Sequence, residues 1–184
     1  MPRIPMLSLE EMTPEQLAVQ EAYASGPRAK PISGPTLAAI HAPEIALRQQ
    51  HLGAILRYGT GFPPRLSELA ILVTARYWSA GVEWYHHAPA ARRGGLAEEV
   101  IEAIRLGRTP EAMAADERAV YDFVRGMHYD KRVSDAVYQR VVELFGVTGV
   151  VELTALIGYY ALVAININAH RLELPDGEPW PFPD

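Results

Sequence analysis

Glu83 and His87 stand four positions apart in the segment Gly81-Val82-Glu83-Trp84-Tyr85-His86-His87. On a helix, that spacing places the two side chains one turn apart on a common face. A carboxylate within reach of an imidazole orients the ring and holds its proton, which equips a general acid/base for work near neutral pH. Glu68 precedes Glu83 by fifteen positions. A bend at Ser79-Ala80-Gly81 is expected to fold it back toward His87. Tyr77, Trp78, Trp84 and Tyr85 add rings able to wall off solvent. The plain alternative for the same spacing is a Glu/His pair on a solvated helix face.

The remaining histidines offer less. On a helix, His86 points about 100° away from His87 and reads as a surface or interface residue. His41, His51, His128 and His170 show no ligand spacing, although His51 lies on a helix that could pack over the site. There is no HExxH and no Cys/His pattern, so no metal is expected. The chain contains no cysteine, which removes thiol nucleophiles, redox dithiols and Cys-ligated metals.

The elements that must position these residues follow from proline and glycine. Nine of the fifteen prolines lie at or before Pro64 and four at or after Pro175, which leaves the middle open to continuous helix. Thr13-Pro14-Glu15-Gln16 is a capping box that opens a helix closed by Gly26-Pro27. Residues 27–35 read as a loop. Helices are expected from Pro43 to Gly59, from Arg65 to Tyr77, from the break at 78–81 to Gly94-Gly95, and from Leu96 to Leu106. Thr109-Pro110-Glu111 introduces another, running to about His128. Ser134 caps one that stops at Gly146, and Thr148 caps the last long one. No alternating run reads as a strand, so the fold class is all-α, with about seven or eight helices.

At 184 residues the chain is expected to be one domain, with residues 1–40 as an N-terminal extension and 175–184 as an extended C-terminal arm. Trp180 and Phe182 on that arm are expected to pack on the same or a neighbouring subunit. The net charge is −5 and only Lys30 and Lys131 are lysines, which argues against a nucleic-acid partner. The N-terminus lacks a secretion-signal pattern. The apolar stretch Leu153–Ile165 is shorter than the roughly 18–20 residues a bilayer crossing needs. No membrane association and a cytoplasmic location are expected.

The segment carrying the chemistry resembles the carboxymuconolactone decarboxylase family, all-helical relatives of the alkylhydroperoxidase AhpD. Glu68 matches that family's first Glu, Glu83-Trp84 its Glu-Trp, and His87 its His, while Ala80 stands where many members carry a Cys. Pro63-Pro64-Arg65-Leu66-Ser67-Glu68 and Gly158-Tyr159-Tyr160 with Asn168-Ala169 extend the similarity over about residues 43–175. The resemblance implies an AhpD-like helical bundle. It also implies a cofactor-independent decarboxylase acting on a small unsaturated lactone acid.

With Ala80 and Glu83 at the two cysteine positions, thiol peroxidase chemistry has no sulfur to run on. In the expected reaction His87 donates the proton, Glu83 positions and charges it, and Glu68 is a relay carboxylate. Loss of CO2 from γ-carboxymuconolactone leaves an oxyanion that needs a donor and a returning proton. Arg76 is the candidate cation for the substrate carboxylates. Trp84, Tyr77, Asn168 and Tyr160 are the other candidate substrate contacts.

A lactone hydrolase, isomerase or dehydratase would use the same groups, and a catalytically silent helical oligomer is the reading from a different class. A homo-oligomer is expected from the apolar last helix, the aromatic tail and Ala88-Pro89-Ala90-Ala91, and the family resemblance implies a dimer, trimer or hexamer.

Overall fold

The computed structural model describes residues 1–27 and 31–183. Those residues form eight α-helices and no strand: α1 (Pro14–Ala24), α2 (Gly34–Ala39), α3 (Pro43–Tyr58), α4 (Pro64–Tyr77), α5 (Gly81–Arg93), α6 (Glu98–Arg105), α7 (Ala115–Arg125) and α8 (Asp135–His170). A 3-10 turn, Leu9–Glu11, precedes α1, and a wide π turn, Gly126–Asp130, follows α7.

Most starts and stops obey the local signals. Thr13 and Gln16 exchange hydrogen bonds in a capping box: the Thr13 N–H donates to Gln16 Oε1 at 2.9 Å, and the Gln16 N–H donates to Thr13 Oγ1. Pro43 and Pro64 occupy first-turn positions, where the missing N–H costs nothing. Gly146 breaks α8 with φ 70° and ψ 178°, so the expected stop is a kink between two helical segments. Part of the loop expected at 27–35 is short helix from Gly34 onward, and positions 28–30 lie outside the described residues. The helix expected from Pro110 begins instead at Ala115, where Glu117 reaches back to the Ala114 N–H.

At the centre runs α4. Ten consecutive residues, Leu66 to Ala75, are buried on all sides of it, as expected for a helix enclosed by others. It packs against α5, α6, α7 and α8. Leu69, Ile71 and Leu72 meet Val120 and Val124 of α7 and Leu153 of α8 in the main core. Burying each such side chain is worth about 1.5–3 kcal/mol.

A tight reversal at Trp78-Ser79-Ala80, with Ser79 in the left-handed region at φ 49°, sends α5 back along α4. The two run close at their far end. A Cβ on Gly94 would sit 2.9 Å from the Arg65 nitrogen and 3.0 Å from the Pro64 carbonyl carbon.

The C-terminal arm packs on its own chain. Phe182 is buried against Trp84, the Arg105 guanidinium donates to the Pro181 carbonyl at 2.7 Å, and the Trp180 ring lies over Gly81. By length and composition α8, longer than the 153–165 stretch read from the sequence, is apolar enough to cross a membrane, its most apolar 18-residue window having mean hydropathy 1.8. Within its most apolar window, 44% is buried inside the chain.

Candidate active site

The α4–α5 hairpin dictates the geometry. Glu68 lies eleven residues before Ser79 and His87 eight after it, so doubling back brings them level. His87 Nδ1 is 2.6 Å from Glu68 Oε2, and both side chains are buried. Arg57 arrives from the last turn of α3 and places Nη2 at 3.1 Å and Nε at 3.3 Å from Glu68 Oε1. One carboxylate thus receives two partners, one on each oxygen.

Isolated burial of an ionised carboxylate is costly, and this pairing offsets it. Burial is the largest single influence on Glu68 and pushes its pKa up. The charges and hydrogen bonds of His87 and then Arg57 outweigh it and hold the carboxyl below its ordinary value. Glu68 is therefore ionised at neutral pH and accepts a hydrogen bond from the Nδ1–H of His87.

Glu83 does not take the place expected for it. Its carboxyl is buried, neither oxygen has a hydrogen-bond partner among the described residues, and His87 Nδ1 faces Glu68 instead. The physical reason is the bend: folding α5 onto α4 presents the His87 ring to a carboxylate already held by Arg57. Burial, and then the charge of Glu68, push the Glu83 pKa well above its ordinary value. It is a neutral carboxylic acid in the folded chain.

Tyr160 of α8 stands edge-on to His87, with ring centroids 5.0 Å apart. Burial raises its hydroxyl pKa well above 10, so it remains a neutral donor. A cavity of about 90 Å³ opens beside these groups, walled by Arg57, His87, Tyr159, Tyr160, Tyr23 and Gln49. His86, exposed, lies at the same cavity.

The other residues expected to contact substrate lie elsewhere. Arg76 is eight positions, roughly 12 Å, beyond Glu68 along α4, and its Nε donates to the Arg105 carbonyl at 3.0 Å. Trp84 is buried against Phe182 of the arm. Tyr77 stacks on His128 at 4.6 Å. Asn168 donates its side-chain N–H to the Trp78 carbonyl at 2.7 Å, tying the end of α8 to the α4–α5 bend.

Arg57 was not singled out from the sequence. Its signal lay in register: Ala46, Gln50, Gly53 and Leu56 are the buried positions of α3, and Arg57 follows Gly53 by one turn. His51, on the same helix, is exposed. Among the described residues, no group of three or more His, Asp or Glu side chains is arranged to hold a metal ion.

No protein-family profile matches the chain, and no curated protein matches it. Solved structures do. One is an Agrobacterium tumefaciens protein of unknown function whose name ties it to the antioxidant defence protein AhpD. It is 19% identical with TM-score 0.66, over 74% of this chain and 94% of that one. Another is the debrominase Bmp8, solved as a cysteine-to-alanine variant with 2,3,4-tribromopyrrole, 13% identical with TM-score 0.72, over 97% of this chain and 92% of that one. The fold is therefore an AhpD-like helical bundle.

Proposed function

We propose that this chain is a small-molecule enzyme of the AhpD-like fold that works by cofactor-independent acid/base chemistry, and that it decarboxylates a small unsaturated lactone acid. The observation that carries this reading is the buried Glu68–His87 pair, braced by Arg57, at the wall of a cavity.

Each part has a task. Arg57 commits Nε–H and one Nη2–H to Glu68 and keeps three further N–H donors for a substrate carboxylate. With His87 protonated, two cations answer one carboxylate, and the site carries a net positive charge that favours an anion. As the carbon–carboxylate bond breaks, its electron pair moves into the unsaturated lactone and CO2 leaves. The neutral Tyr160 hydroxyl can donate to the developing oxyanion. His87, with Nδ1 committed to Glu68, delivers a proton from Nε2 to carbon and is recharged from solvent.

Kinship of fold also includes a debrominase, which supports processing of a small cyclic substrate. This chain supplies no thiol for any chemistry that needs one. Hydrolysis or double-bond isomerisation of a related acid would draw on the same groups, and the product separates the cases. We also propose a homo-oligomer, formed through the exposed Ile45 and Ile55 of α3 and Leu162 and Ile165 of α8. A light-scattering mass tests it.

For the activity, CO2 release from γ-carboxymuconolactone is measured for the wild type and for His87→Ala. The expected result is turnover that His87→Ala abolishes. Full turnover by His87→Ala overturns the role given to the imidazole, and water addition without CO2 moves the chain to the hydrolase reading.

A further inference from the structure

The far end of α4 borders a second cavity, of about 110 Å³, between α4, α6 and α7. Three guanidinium groups line it, Arg76, Arg108 and Arg125, together with Thr109, Tyr121 and Tyr129. No Asp or Glu does. This is unusual within the molecule. Acidic residues outnumber Lys and Arg by 22 to 17, and seven other arginines (48, 57, 65, 92, 105, 118 and 140) pair with carboxylates. Among the described residues, Arg76, Arg108 and Arg125 make no salt bridge, although the charge of Arg108 reaches Glu102.

The site is also built. Arg76 is fixed from three sides: its Nε donates to the Arg105 carbonyl, its guanidinium carbon lies 5.1 Å from the centre of the Phe182 ring, and the backbone of Gly107 passes alongside. A side chain at Gly107 would stand 3.2 Å from Arg76 Nη2, and φ there is +71°, so glycine suits the position twice over. The two terminal nitrogens of Arg76 make no hydrogen bond among the described residues. Arg125 lies over the Tyr129 ring at 5.2 Å. The Tyr121 hydroxyl stands 3.5 Å from Thr109 Oγ1, which puts two hydroxyls at the same wall.

We propose that this cavity binds the phosphate group of a small molecule. Several guanidinium forks around one cavity suit an anion of charge near −2 with three terminal oxygens, and hydroxyl donors suit the same group. The cavity accommodates a tetrahedral oxyanion and leaves the rest of a larger ligand outside. It is separate from the His87 cavity and does not depend on the reaction proposed there.

The test is calorimetric titration of the intact chain with inorganic phosphate at constant ionic strength, repeated with glycerol phosphate and with malonate. Arg108 and Arg125 are exposed, so Arg108→Gln and Arg125→Gln remove no core packing. Arg132→Gln, exposed and outside the cavity, is the control, and thermal melts verify that all three variants fold.

Saturable phosphate binding is expected. Each cavity variant should weaken it about tenfold, and Arg132→Gln should change it by less than about twofold. Glycerol phosphate competing for that site identifies a phosphate monoester as the physiological form. Inorganic phosphate binding alone identifies the free ion. No saturable binding up to about 10 mM, equal loss in the control, or malonate binding as tight as phosphate overturns the proposal.

Discussion

His87 Nδ1 and Glu68 Oε2 lie 2.6 Å apart across a helical hairpin, nineteen positions apart in the chain. His87 and, on the opposite oxygen, Arg57 together keep Glu68 ionised. The ring is therefore oriented by a carboxylate that is itself held in place. ¹⁵N-labelled histidine spectra should accordingly show an Nδ1–H proton far downfield, as short charge-assisted hydrogen bonds give. The signal should vanish in Glu68→Gln and persist in Glu83→Gln. Its persistence in Glu68→Gln would place another acceptor on His87.

Glu83 should behave as a liability to stability at neutral pH. Its native pKa is raised by burial and by Glu68, so the folded chain keeps a proton that the unfolded chain releases above about 4.5. Stability contributed by this group is full below that pH and falls as pH rises, by at most about 1.4 kcal/mol per unit. Glu83→Gln should remove the slope and stabilise the fold at pH 7 by about 1–3 kcal/mol. Urea melts from pH 4 to 8 measure it, and an unchanged slope in the variant would mean that Glu83 ionises in the folded state.

His128 should act with the opposite sign. Burial, and then the charge of Lys131, lower its pKa from 6.5 to about 4. The Thr74 hydroxyl donates to the Ala70 carbonyl, so its oxygen accepts from His128 Nε2–H at 2.9 Å and the ring is neutral. Between pH 6.5 and 4 the unfolded state binds the extra proton, and stability falls as pH falls, by on the order of 2–3 kcal/mol in total. His128→Gln should lose that dependence. The two groups oppose each other between about pH 4.5 and 6.5, so the wild-type profile should be flatter there than that of either variant.

Two glycines should respond differently to alanine. At Gly94 the new methyl meets the backbone of Arg65 and Pro64, which cannot rotate away, and a loss of about 1–3 kcal/mol is expected. At Gly81 its nearest neighbour is the Trp180 ring, 2.5 Å away, on an arm whose indole is half exposed. Gly81→Ala should shift the tryptophan fluorescence and change stability little. Equal melting temperatures for the two variants would contradict the tight α4–α5 approach.

Much of this molecule was legible in its sequence, because local signals control helix ends. Thr13 with Gln16 and Pro43 act as read, Pro64 opens α4 one residue before the expected start, and Gly146 kinks α8 at the expected stop. Where a distant partner decides the outcome, spacing misled. The i,i+4 rule joins Glu83 to His87, but the hairpin supplies Glu68, and only tertiary packing brings Arg57 to it. Tyr77, Trp84 and Arg76 cluster near the bend in sequence. Helix rotation carries them to other faces, where His128, Phe182 and Arg105 occupy them.

The most direct measurement is the turnover of γ-carboxymuconolactone by Glu68→Gln and Glu83→Gln, side by side with the wild type. If Glu68 holds the proton-transferring imidazole, Glu68→Gln should lower kcat about 10²- to 10⁴-fold, while Glu83→Gln, which keeps a neutral buried group of the same shape, should stay within about tenfold of wild type. Full turnover in Glu68→Gln together with collapse in Glu83→Gln would contradict the account.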